Sequence, residues 1–196
     1  MTDLSGLIPP TVIAAAIIFV LKEILELVRK SRARRRKIKA YKKILAEELE
    51  RNFWTWKSLR SAVIRIQGYR VEGVEVTHKV VSAPSGAQRL ETRYLDGTLS
   101  SGSNLPVASR ASFERVLLGL AEEDEKFYSP ASDAYDEISE IGHVRASLIN
   151  ELGSEEDFHF DGFLEYAVET LDSAIGPIRH FYQVCAGKAL EQPKLR

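Results

Sequence analysis

Residues 4–21, LSGLIPPTVIAAAIIFVL, carry no charge, and a densely basic stretch follows closely behind them. An uncharged run of that length limits what the start of this chain can fold into. A membrane-spanning helix takes about 20 mostly apolar residues. Residues 7–28 supply that length if Lys22, Glu23 and Glu26 extend back toward the headgroups. Val12, Ile13, Ile17, Ile18, Phe19, Val20 and Leu21 each favour insertion by roughly 0.3–0.6 kcal/mol. Three readings compete. A cleaved leader needs positive charge ahead of its apolar core and small residues at a cut site, yet MTDLSG offers only Asp3 and LKEILELVRK no such site. A buried helix of a globular domain fits the shortness of the strictly apolar core, residues 11–21. An uncleaved anchor fits the uncharged length best, and Pro9 and Pro10 suit a first helical turn, where a missing N–H costs nothing. The expectation is therefore residues 1–6 outside, a transmembrane helix over 7–28, and the rest inside.

The basic stretch supports that orientation. Ten of the seventeen residues in LVRKSRARRRKIKAYKK, 27–43, are Lys or Arg, and none is acidic. Basic residues beside a span are retained on the cytoplasmic side, which places the chain in an inner or plasma membrane with its C-terminal domain cytoplasmic. Arg29, Lys30, Arg32, Arg34, Arg35, Arg36 and Lys37 are the candidate contacts to anionic headgroups, at about 1 kcal/mol each near the surface. A nucleic-acid arm would use the same charges on phosphates. Apart from Tyr41, however, no aromatic residue interleaves with the run.

Charge is polarised along the chain. Residues 1–60 hold 14 basic and 6 acidic side chains, whereas residues 121–172 hold 16 acids against Lys126 and Arg145, in a chain of formal net charge −1. The acidic helices are thus a natural contact surface, either for a partner or for the chain's own basic segment 29–43. A single cysteine, Cys185, rules out an internal disulfide framework.

Past the basic run, apolar residues recur at helical spacing: Ile38, Tyr41, Leu45, Leu49, Asn52 or Phe53, Trp56, Leu59, Val63 and Ile66. This predicts a helix ending near Gly68. Ala33 is the only apolar residue in 29–37, which argues against a coiled-coil seam through the charges. Trp54 would lie roughly 39 Å beyond Val28 on a straight helix at 1.5 Å per residue. That is too deep for an interfacial belt, so Trp54 and Trp56 are read as core or contact residues. Val74, Val76 and Val80, then Leu90, Thr92 and Tyr94, alternate as in strands. They predict a hairpin within 71–98, followed by a mobile Gly/Ser-rich loop over 96–108. Three helical segments follow: one from SFERVLLGLAEE capped by Ser109 or Ser112, one with Pro130 in its first turn and Gly153 as its C-cap, and one opening at Ser154. Gly176-Pro177 should kink or split the last. The fold class is mainly α: an N-terminal transmembrane helix continuing into a helical bundle, 44–186, with a β-hairpin insertion and a tail over 187–196.

LAEELERN, residues 45–52, carries Leu-x-x-Glu-Leu-x-x-Asn soon after the apolar segment and its basic flank. In this it resembles small bacterial membrane proteins with one N-terminal span and a helical cytoplasmic domain. The resemblance covers residues 7–59 and implies no activity. Glu48 and Asn52 lie one turn apart on a shared face. They are candidate contact residues, through a buried hydrogen bond or as part of a solvated face.

No spacing points to catalysis or a cofactor. Asp157, His159 and Asp161 in DFHFD would converge on a strand, but residues two apart on a helix diverge by about 200°, and acids suit a helix N-terminus. His78, His143 and His180 form no pair with metal-ligand spacing. Cys185 reads as a small core residue. Phosphate-loop, nucleophile-elbow and zinc motifs do not occur. The expected function is a non-catalytic interaction or sensing module, without cofactor or metal, that binds an unidentified protein or further copies of itself. The alternative is an effector in which several spans assemble around Lys22 and Glu26 and perturb the bilayer when triggered.

Overall fold

The computed structural model describes residues 10–153 and 159–191. The chain divides into two compact units, Met1–Ala40 and Tyr41–Arg196. Among the described residues, helices α1 (Pro10–Val71), α2 (Ala111–Glu123), α3 (Glu125–Glu151) and α4 (Phe160–Ala186) accompany three strands: β1 (Val76–Ser82), β2 (Gln88–Tyr94) and β3 (Leu99–Asn104).

The expected span is overturned. Among the described residues no helix is long and apolar enough to cross a membrane. Along the described part of α1, Pro10–Val71, charge enters directly after Leu21, and ionisable groups inside a span are costly. Lys22, Glu23 and Glu26 occupy the next turns. Residues 1–9 of the sequence stretch, including the predicted outer segment, lie outside the described residues. The single-pass placement with its N-terminus outside, and the inner-membrane localisation drawn from it, have no support.

Within the second unit the bundle follows the predicted helical spacing. Leu45, Leu49, Phe53, Leu59, Val63 and Ile66 of α1 are buried. They meet Ala134, Ile138, Ile141, Val144 and Leu148 of α3 and Leu164, Ala167, Leu171 and Ile178 of α4 in one core. Helices α3 and α4 run antiparallel, since Phe127 near the start of α3 packs against Phe181 near the end of α4 at 5.3 Å between ring centroids. The α2 ring of Phe113 stacks on Tyr135 of α3 at 4.2 Å, and Tyr135 meets Phe181 edge-on at 6.4 Å. Such pairs are each worth about 0.5–1.5 kcal/mol beyond their burial.

Several local expectations shift. Helix α3 begins at Glu125, with the Asp124 side chain accepting the Phe127 N–H, so Pro130 lies inside the helix rather than in its first turn. Leu152, not Gly153, is the C-cap. Helix α4 is unbroken across Gly176-Pro177. The predicted opening at Ser154 falls outside the described residues.

The hairpin is present but incomplete as predicted: the stretch expected to be a loop contributes a third strand. The sheet is antiparallel in the order β1-β2-β3. Val80 pairs with Leu90 and His78 with Thr92, and Glu91 pairs with Gly102 across to β3. Strand β3, LSSGSN, has almost no apolar alternation to announce it. The turn before it sets the pairing. Gly97 adopts φ +82°, a left-handed conformation in which glycine has no Cβ to clash. The Asp96 carboxylate accepts from the backbone N–H and hydroxyl of Thr98. The β2–β3 ladder then carries Leu105 into the core.

Candidate functional site

The sequence singled out Glu48 and Asn52, and both are buried. They sit on the inward face of α1 among Leu45, Leu49 and Phe53, and both turn toward the segment joining β3 to α2. Asn52 grips Ser109 at both ends: its Nδ2 donates to the Ser109 carbonyl at 2.7 Å, and its Oδ1 accepts the Ser109 N–H at 2.8 Å. Glu48 accepts four hydrogen bonds. Oε1 takes the Ser109 hydroxyl at 2.8 Å and the Ser112 N–H at 2.9 Å. Oε2 takes the Phe113 N–H at 3.1 Å and the Tyr135 hydroxyl at 2.7 Å.

This arrangement explains a cap that sequence reading placed elsewhere. Ser109 and Ser112 do not cap α2, whose N-cap residue is Arg110 with no capping side chain of its own. A carboxylate from another helix satisfies the orphan N–H groups of the first turn, and its negative charge faces the positive end of α2. Burial pushes the Glu48 carboxyl up, but the bonds from Ser112, Tyr135, Ser109 and Phe113 outweigh it and hold the group below its ordinary value. Tyr135 is correspondingly pushed far above the usual phenol range, by burial first and by Glu48 second. With about four acceptor positions on a carboxylate, Glu48 has no lone pair left for a substrate. Its role is internal.

Trp54 and Trp56 are both half-buried. The indole N–H of Trp56 donates to the Leu171 carbonyl of α4 at 2.6 Å, and its ring stacks on Phe53 at 5.4 Å. Trp54 lies under the Lys57 ammonium at 5.4 Å. His159 and Asp161 do not converge on a metal. His159 is the N-cap residue of α4, Asp161 pairs with Arg70 at 2.5 Å, and Asp157 lies outside the described residues. No group of three or more potential metal ligands occurs among the described residues. His78 pairs with the Thr92 hydroxyl at 3.0 Å across the sheet. Cys185 is partly buried, and burial pushes its thiol up to about 12, which removes thiolate reactivity near neutral pH.

The first unit presents a different surface. The side chains of Arg29, Lys30, Arg32, Arg34, Arg35, Arg36 and Lys37 are exposed, and Lys30 also meets Glu26 one turn back at 3.1 Å. Ahead of them, the large apolar residues from Val12 to Val28 are 40–67 % exposed. Ile13, Ile17, Val20, Ile24 and Leu27 follow a four-three-four-three spacing, the period of a coiled-coil seam. The same period next falls on Ser31 and Arg34, so the seam stops where the charge begins. No family model, curated protein or solved structure matches the chain.

Proposed function

We propose that the chain is a non-catalytic, self-associating interaction module, assembled through α1 residues 12–28. The observation that carries this reading is the heptad of exposed apolar side chains Ile13, Ile17, Val20, Ile24 and Leu27. Exposed apolar surface of this extent marks an interaction site, and fully burying each such side chain is worth about 1.5–3 kcal/mol. A second copy of the same helix is a complementary occupant, because seam positions of one copy pack between those of another. Ile17 and Ile24 at one seam position, with Ile13 and Val20 at the other, favour three or four strands over two, against Leu27 alone. The flanking apolar residues Ile18, Leu21, Leu25 and Val28 widen the face beyond a two-stranded seam. The four bonds already made by Glu48 and the raised Cys185 thiol favour a non-catalytic reading of the remainder.

Amine-reactive crosslinking of a mixture of isotopically light and heavy chains tests this. Lys22 and Lys30 flank the seam, so peptides joining light and heavy copies through these two lysines are expected. Crosslinks within single copies only would overturn the proposal. A chain that forms mixed crosslinks only when polyanion is added would assign the contact to the basic residues and nucleic acid instead.

A further inference from the structure

Within the second unit a cleft of about 710 Å³ opens between α1 and the end of α4, a volume in the range of small-molecule sites. Its floor is apolar and aromatic: Phe53, Trp56 and Ile64 from α1, with Leu190 from the segment after α4. Its rim is cationic. Lys57, Arg60 and Arg65 come from α1 and Arg179 from α4, against the single carboxylate of Glu191. Arg60 is held by Asp172, at 2.5 Å from Nε to Oδ1 and 3.1 Å from Nη2 to Oδ2. Lys57 lies over the Trp54 ring. Arg65 and Arg179 have no ion-pair partner among the described residues. The surplus of positive charge is thus concentrated on groups free to meet an anion.

We infer that this cleft binds an amphiphilic anion, an apolar body carrying a terminal carboxylate or phosphate. Two features select that class. The lining residues of α1 run from Phe53 to Arg65, about 18 Å at 1.5 Å per residue, a length that suits an extended body rather than an inorganic ion. Guanidinium groups present paired N–H donors that match a carboxylate or phosphate, and they are less strongly hydrated than ammonium. The buried side of the Trp56 ring is fixed by its stacking on Phe53 and its bond to Leu171, so the apolar wall is in place before a ligand arrives. This site is separate from the α1 seam and does not depend on self-association.

The test uses the full chain with Trp54→Phe, leaving Trp56 as the only tryptophan, and follows its fluorescence during titration. Dodecanoate and dodecyl phosphate are the probes, with dodecanol, dodecyltrimethylammonium and inorganic phosphate as comparisons. The two amphiphilic anions should bind at least tenfold more tightly than all three comparisons, and comparison of their heads separates carboxylate from phosphate preference. Arg65→Glu with Arg179→Glu should weaken dodecanoate at least tenfold, while Arg65→Lys with Arg179→Lys, which keeps the charge but loses the paired donors, should weaken it less. Ser61→Trp, read by calorimetry, fills the cleft from α1 without altering its charge and should also abolish binding; it serves as the second variant if the glutamate pair loses its helical circular dichroism. Binding should persist in Ile17→Lys, Ile24→Lys. Equal affinity for dodecanol, or unchanged dodecanoate affinity in folded Arg65→Glu, Arg179→Glu, would overturn the inference.

Discussion

The Tyr135 hydroxyl donates to Glu48 Oε2 over 2.7 Å, joining α3 to α1 at the point where α2 begins. Each Glu48 oxygen accepts two hydrogen bonds, and the junction holds the β3–α2 connection onto the bundle. A carboxylate buried with full pairing is costly to break on one side, because the partners left behind are desolvated and unsatisfied.

Glu48→Ala is therefore expected to destabilise the fold by about 3 kcal/mol or more, and Tyr135→Phe by about 1.5 kcal/mol. Urea denaturation followed by circular dichroism checks both values. The midpoint should fall with little change in slope. A midpoint unchanged by Glu48→Ala would contradict the assigned network.

The same carboxylate sets an acid limit. The folded state holds Glu48 below its ordinary value of 4.5, so its contribution is complete above that pH and is lost as pH falls through the lower folded value. Wild-type stability should decline more steeply below about pH 4.5 than that of Glu48→Gln, which has no proton to gain. Parallel pH profiles for the two proteins would count against the assignment.

His78 should act in a neighbouring window. Burial, and then the Arg70 charge, hold its imidazole below the ordinary 6.5. Its neutral form supports the fold above that pH, and the support is lost as pH falls. In His78→Asn the stability change between pH 7 and pH 5 should be smaller than in wild type. NMR titration of the His78 ring should give a midpoint below the free-histidine value, and a midpoint above it would refute this reading.

The turn before β3 offers a backbone test. Gly97→Val places a β-branched residue at φ +82°, a conformation that costs L-residues roughly 1–2 kcal/mol. Amide hydrogen exchange should accelerate across Leu99–Asn104 more than in the bundle helices. Asn52→Ala should instead accelerate exchange at the Ser109 N–H, whose acceptor it removes. Uniform acceleration in both variants would contradict independent roles for the two contacts.

The bundle was legible because three helices carry apolar residues at a strict helical period. Glu48 and Asn52 stood out as polar residues one turn apart beside Leu45, Leu49 and Phe53, but the sequence left open whether that face was buried or solvated. Their partners were not legible, since Ser109, Ser112 and Tyr135 lie 57 to 87 residues away. Strand β3 escaped notice because its small polar residues resemble a loop, and the Gly97 turn rather than side-chain alternation sets its pairing. The N-terminal run was overread. A span over 7–28 required Lys22, Glu23 and Glu26 to be accommodated at its end, and with those charges no described helix is apolar enough to cross a membrane. The cationic cleft had no sequence signature, because Arg65 and Arg179 come together only when α1 and α4 pack.

Self-association through α1 is tested most directly by sedimentation equilibrium over a wide concentration range. The wild-type chain should fit three or four copies of the 22.0 kDa protomer, and Ile17→Lys, Ile24→Lys should fit one copy with its helical signal intact. A wild-type mass of 22.0 kDa at every concentration, or an oligomer that the two lysines leave whole, would contradict the seam.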